Sequence, residues 1–168
     1  RRYYEGLKKE LIYSNSWPET FQRVFALLLG RNYFTATHLV HLRNRFFDFN
    51  VSRQLEKMDF DLFIGLSGSA LYSIEKARRL GKVTVVDQHD IHYSLAAELL
   101  KTERELHPEF ASSIPYWPPL KRYLECVEKE LELSDFIFVP SSFSLKSHLD
   151  AGISKEKLIL LLHGLNPS

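Results

Sequence analysis

Four short loops of this 168-residue chain carry the residue types that could do chemistry, each directly after an apolar run. They are Ser67-Gly-Ser69, Asp87-Gln-His-Asp90, Ser141-Ser142 and His163-Gly164. Hydroxyl and small residues at a helix start leave backbone N–H groups for an anionic ligand, although serine there is also one of the commonest N-caps. Gly65-Leu-Ser67-Gly-Ser69 comes within one residue of the G-x-S-x-G nucleophile elbow, with Ser69 where the last glycine belongs. A hydrolase built on Ser67 would need an acid and then a histidine downstream, and Asp150 with His163 are the pair that order supplies. His89-Asp-Ile-His92 places two imidazoles beside a carboxylate, and His38 with His41 forms another i, i+3 pair. Zinc needs three or four well-spaced ligands and neither pair has a third, so no metal site is expected. The chain lacks G-x-G-x-x-G, P-loop and H-E-x-x-H motifs, which argues against a dinucleotide or P-loop nucleotide site. His89 then stands out by position, because a neutral imidazole can both donate and accept hydrogen bonds to a hydroxylated or phosphorylated ligand. The alternative is a loop histidine satisfied by backbone.

The elements that must position these loops follow from the apolar pattern. Residues 61–66 are a compact apolar run closed by Ser67-Gly-Ser69, and Leu71, Ile74 and Ala77 then follow helical spacing up to Gly81. Residues 82–86 repeat the strand, and a helix is expected over 91–106, closed by His107-Pro108. After a loop containing Pro115, Pro118 and Pro119, Leu120, Leu124, Val127 and Leu131 recur on one helical face. A third strand is expected at 135–139, a short helix from Ser141-Ser142 to Gly152, and a fourth strand at 157–162. Strands alternating with helices imply parallel pairing and right-handed crossovers, so the expected fold is α/β, a Rossmann-like three-layer parallel sheet. Such sheets bind ligands beyond the carboxyl ends of their strands, where the four loops lie. Residues 1–60 read as a helical, basic, aromatic-rich segment of the same lobe, with a strand candidate at 11–14 and helical stretches around 21–29 and 46–58. Residues 61–168 read as the Rossmann-like core.

Composition narrows the class. An apolar content of 45% in a chain of this length allows a real core. The single Cys126 cannot form an intrachain bridge, which fits a reducing compartment, so a cytoplasmic location is expected. The run 24–29 is bounded by Arg23 and Arg31 and is too short to span a bilayer, and the start lacks the pattern of a signal peptide. The net charge of +1 conceals an asymmetry: residues 1–82 carry 14 basic and 8 acidic side chains, residues 83–168 carry 8 and 13. In the first segment Arg23, Arg31, Arg43, Arg45 and Arg53 interleave with seven Phe and Tyr residues. That pattern suits a helix packed on the sheet or a membrane-surface contact. Nucleic acid is the weakest partner, because no binding motif accompanies the charge.

The last fifty residues carry a family resemblance. Ser134-Asp-Phe-Ile-Phe-Val-Pro-Ser-Ser-Phe143, Leu149-Asp-Ala-Gly-Ile153, Lys157-Leu-Ile159 and His163-Gly-Leu-Asn166 are similar, in order and spacing, to the end of the N-terminal domain of family 4 glycosyltransferases. Those enzymes have the GT-B fold. Asp59-Phe-Asp-Leu-Phe-Ile-Gly-Leu-Ser67, Ala77-Arg-Arg-Leu-Gly81 and Val85-Val-Asp-Gln-His89 extend the resemblance back to residue 59. Asn166 stands where the family most often has Asp, and the first sixty residues match poorly.

The resemblance implies one lobe of a GT-B enzyme: the acceptor-side half of a retaining transferase that moves a sugar from a nucleotide-sugar donor to an acceptor hydroxyl. The acceptor would be a glycan or glycolipid. The donor would be bound mainly by a C-terminal domain that this chain does not contain, so the chain alone is expected to be inactive. No cofactor or metal is implied. On this reading His89 is the catalytic residue, orienting acceptor and donor groups, with His92 as its replacement if the loop aligns differently. Ser67 and Gly68 would line the acceptor cleft with Asp90, Ser141 and Ser142 would present a helix N-terminus to it, and Gly164 would permit the interdomain crossing. A lipid-linked acceptor would give the basic first segment an anionic membrane surface as partner. The competing expectation is a non-catalytic Rossmann-like glycan- or lipid-binding module, and behind it the Ser67 hydrolase.

Overall fold

A computed structural model describes residues 33–111 and 121–162. The elements are α1 (Tyr33–Leu55), β1 (Leu62–Leu66), α2 (Leu71–Arg79), β2 (Val83–Asp87), α3 (Tyr93–Leu106), α4 (Lys121–Leu133), β3 (Phe136–Val139), α5 (Ser142–Asp150) and β4 (Leu158–Leu160), with 3-10 turns at Pro108–Phe110 and Lys155–Lys157. The strands pair in chain order, β1-β2-β3-β4, and every pairing is parallel. This is the expected Rossmann-like α/β arrangement, an all-parallel sheet flanked by helices. The strand candidate at 11–14 and the helical stretch at 21–29 lie outside the described residues.

Alternation along each strand decides what the sheet buries. Phe63, Val86, Ile137, Val139 and Leu158 share one face and pack with Ala70 and Ile74, with Val127 and Leu131 of α4, and with Leu145 of α5. Each such side chain, fully buried, contributes about 1.5–3 kcal/mol. Consecutive strand order with right-handed crossovers puts the connecting helices on that face. Leu62, Ile64 and Leu66 alternate to the opposite face, in register with Val83 and Val85 and, across β3 and β4, with Phe136 and Ile159. Of these only Val85 is buried.

Two glycines permit close packing, one against the start of α2 and one against α4. A Cβ on Gly65 would lie 2.4 Å from the Ala70 Cβ. Gly68 has φ +80°, and a Cβ there would lie 2.7 Å from the Tyr123 ring. At the opposite edge Asp135 ties β2 to β3: its Oδ2 accepts from the Thr84 amide at 2.8 Å and hydroxyl at 2.9 Å.

Some boundaries differ from expectation. The second long helix begins at Tyr93 because His92 caps it, its Nδ1 accepting the Ser94 N–H. The fourth strand starts only at Leu158, since Lys155–Lys157 turns as a 3-10 helix. The helix expected around 46–58 is instead the 23-residue α1, ending at Leu55.

Candidate functional site

The described post-strand loops gather at the carboxyl edge of the sheet. β1 runs into Ser67, whose N–H donates to Asp87 O at 3.1 Å and so continues the ladder; its side chain is buried. The next amides are already engaged. Gly68 N–H donates to Glu130 Oε2 at 2.6 Å and Ala70 N–H to Oε1 at 2.9 Å. Glu130 is fully buried on α4, and burial pushes its carboxyl up to about 7 while the Ala70 and Gly68 amides pull it down. One turn on, Asp48 of α1 accepts from the Tyr72 and Ser73 amides at 2.6 and 3.0 Å and from the Ser73 hydroxyl at 2.5 Å. Burial raises Asp48 as well.

The α2 N-terminus, read from sequence as an anion cradle, is therefore filled by two of the chain's own carboxylates. A helix start attracts negative charge whatever its source. It also bears on the hydrolase alternative: the amide after an elbow nucleophile helps build the oxyanion hole, and here that amide, Gly68 N–H, is held by Glu130.

The loop after β2 divides into an exposed part and a buried part. His89 and Asp90 are exposed. Asp90 Oδ1 accepts the Ile91 N–H at 2.8 Å. Gln88 is buried, donates its N–H to Phe138 O at 2.9 Å, and leaves its Oε1 buried without a hydrogen-bond partner among the described residues. His92 is also buried. Its ring lies 4.4 Å from that of Tyr93 and meets His148 edge-on at 5.3 Å, and burial, then His148, lowers its pKa. The structure thus places His92 as a helix cap inside the fold, whereas His89 faces solvent.

Helix α5 holds this loop from the neighbouring strand. Ser144 Oγ donates to Asp90 O at 2.7 Å, and His92 N–H donates to Ser147 Oγ at 2.9 Å. Ser141 is the N-cap of α5, its Oγ accepting the Ser144 N–H at 3.1 Å, and Ser142 is exposed in the first turn. Of the two serines, Ser141 is committed to capping. His148 is fully buried; its Nδ1 lies 2.8 Å from Ser144 O, and its Nε2 has no partner among the described residues.

The site residues drawn from sequence therefore fall into groups. His89, Asp90 and Ser142 are exposed on adjoining loops, Ser67 and Gly68 sit buried one strand away, and Gly164 with His163 lies outside the described residues. No group of three His, Cys, Asp or Glu side chains able to hold a metal occurs among the described residues. His41 of the first histidine pair is buried edge-on to Tyr123 at 5.9 Å. Burial pushes the Cys126 thiol up to about 12, so it is no nucleophile at neutral pH. A groove of about 420 Å³ between α4 and residues 151–157 reaches His92 but not His89.

Sequence reasoning missed Glu130 and Asp48, which organise the first loop. Glu130 had a detectable signal: it adjoins Leu131 and lies three residues after Val127, on the buried side of α4. Asp48 had none within α1, because its partners lie on another helix.

No protein-family model matches the chain, and no curated protein or solved structure matches it significantly.

Proposed function

We propose that this chain is the acceptor-side lobe of a retaining GT-B glycosyltransferase, working with a donor domain that binds the nucleotide sugar. The observation that supports the reading most is the pairing of the two motif-bearing strands. The Val85–His89 motif on β2 and the Ser134–Phe143 motif on β3 are neighbours in a parallel sheet, and Ser144 ties their loops together through Asp90. His89 is thereby exposed on an anchored loop, as expected of a group that orients an acceptor hydroxyl and the departing diphosphate by hydrogen bonds. Ser142 and Asp90 would supply further contacts to acceptor hydroxyls. The acceptor is a glycan or glycolipid, and no resident metal or cofactor is invoked.

The test is nucleotide-sugar turnover by the lobe joined to its donor domain. His89→Ala should lower kcat/KM by about 100-fold or more while leaving the thermal midpoint unchanged. Unchanged turnover in that variant removes His89 from the mechanism. Absence of transfer with every nucleotide sugar, together with retained glycan binding by the chain alone, favours the binding-module reading. Labelling of Ser67 by a fluorophosphonate would favour hydrolysis instead.

A further inference from the structure

The sheet has an apolar face that the proposed transfer chemistry does not use. Leu62, Ile64 and Leu66 of β1, Val83 of β2, Phe136 of β3 and Ile159 of β4 lie on the side away from the core, and all six are exposed, Ile64 and Leu66 by 51% and 53%. The one ionisable strand residue of this face is Asp87, in register with Leu66 and Phe138 at the carboxyl end. Parallel sheets ordinarily have both faces covered. Here the right-handed crossovers between consecutive strands carry α2, α4 and α5 onto the core face, and among the described residues nothing closes the other.

The open face has the dimensions of another sheet. Four strands at about 4.8 Å each make it about 19 Å wide, whereas a single helix with its side chains covers a strip of about 10–12 Å. Opposed sheet faces pack about 10 Å apart with their apolar side chains interdigitated. The six exposed side chains offer on the order of 500 Å² of apolar surface, so two such faces in contact remove about 1,000 Å² from water, the least that a specific interface needs. No strand carries a basic residue, so the face has nothing to pair with a nucleic acid or an anionic lipid.

From this arrangement we infer that a second copy of the chain covers the open sheet face, the two faces packing on each other about a two-fold axis. An axis that crosses the strands runs the two sheets antiparallel and brings the Ile64-Val85-Phe136 rows together at the centre. It also sets the two Asp87 carboxylates at opposite rims, in water, where neither is buried without a partner. The carboxyl edge that carries His89 and Asp90 lies at the end of the sandwich and outside the contact. The inference stands apart from the transferase reading, since pairing requires no donor, acceptor or turnover.

Sedimentation equilibrium of the full chain in reducing buffer tests it. A dimer with a dissociation constant on the order of 10 µM, held or tightened by added sulfate, is expected from an apolar interface of this size. Ile64→Lys should weaken it by about 100-fold or more, because pairing then buries two like charges across the axis. Leu106→Lys, on α3 and away from the sheet, should leave it unchanged. Circular dichroism melts identify any variant that has lost its fold, and Ile64→Ser, which adds no charge, then supplies the deletion, at about tenfold. A monomer up to about 100 µM, ten times that constant, overturns the inference. So does a dimer that the Ile64 substitutions leave intact, or one that salt dissolves.

Discussion

Replacing Glu130 by Gln tests whether burial or the surrounding amides governs the α2 cap. In the native fold the Glu130 carboxyl faces the Gly68 and Ala70 N–H groups at 2.6 and 2.9 Å, with a further contact to Leu71. Glutamine has one acceptor oxygen, so its NH₂ must turn toward an amide that also donates. One buried donor then goes unsatisfied, at a cost of about 1–3 kcal/mol. The pH dependence carries the sharper test. Burial raises the folded-state carboxyl to about 7 from its ordinary value of 4.5. Between those values the folded protein binds more protons than the unfolded chain, so this group's contribution is full below about 4.5 and is lost as pH rises toward 7. The loss is on the order of 3 kcal/mol, and glutamine cannot undergo it. The destabilisation caused by Glu130→Gln should therefore be greater at pH 5.5 than at pH 8.5, where it falls to zero or below. Urea unfolding of both proteins at the two pH values, followed by circular dichroism, measures this, and every other titrating group cancels in the difference. A cost that grows between pH 5.5 and 8.5 would refute the reasoning, since it would mean that the amides outweigh burial and hold the carboxylate ionised.

Other outcomes follow from the same geometry. Gly68→Ala meets both a left-handed backbone and the Tyr123 ring and should cost about 2–4 kcal/mol, whereas Gly81→Ala, with φ +70° and nothing within 4 Å, should cost only about 1–2 kcal/mol; thermal melts separate them. His148 has its pKa lowered by burial, so its contribution is present above its ordinary value of 6.5 and is lost as pH falls below it. A wild-type stability loss on acidification from pH 7 to 5 should accordingly be smaller in His148→Gln, and an equal loss in both proteins would exclude His148 as its source. Ser144→Ala removes the bond to Asp90 O and should cost about 1 kcal/mol, with faster amide exchange at residues 89–92 detected by mass spectrometry. Exchange unchanged there would show that the loop holds itself.

Much of the fold was legible because its signals are local. Apolar runs at 61–66, 82–86 and 135–139, each followed by a turn and a helical spacing, specify parallel strands without reference to anything distant. The edge that carries the loops follows from that topology. The helix boundaries were less accurate where a single side chain decides them, as His92 does at the start of α3. The occupant of the amides at residues 67–69 was not legible for a different reason: serine and glycine at a helix start fit either an anionic ligand or ordinary capping, and nothing nearby in the chain announces that Glu130, 62 residues after Gly68, takes the Gly68 amide.

By itself the sequence determined the order of elements, the all-parallel sheet and the placement of His89 and Asp90 on a post-strand loop, since each depends on patterns a few residues long. Tertiary structure alone decided which polar groups remained available. Two histidines three residues apart in one loop, His89 and His92, meet different fates: α5 buries one through Ser147 and His148 and leaves the other exposed. Likewise the α2 N-terminus has its compensating charge supplied by α1 and α4. Long-range packing sets desolvation and partner supply, and those two quantities separate a side chain that binds a ligand from one that holds the fold.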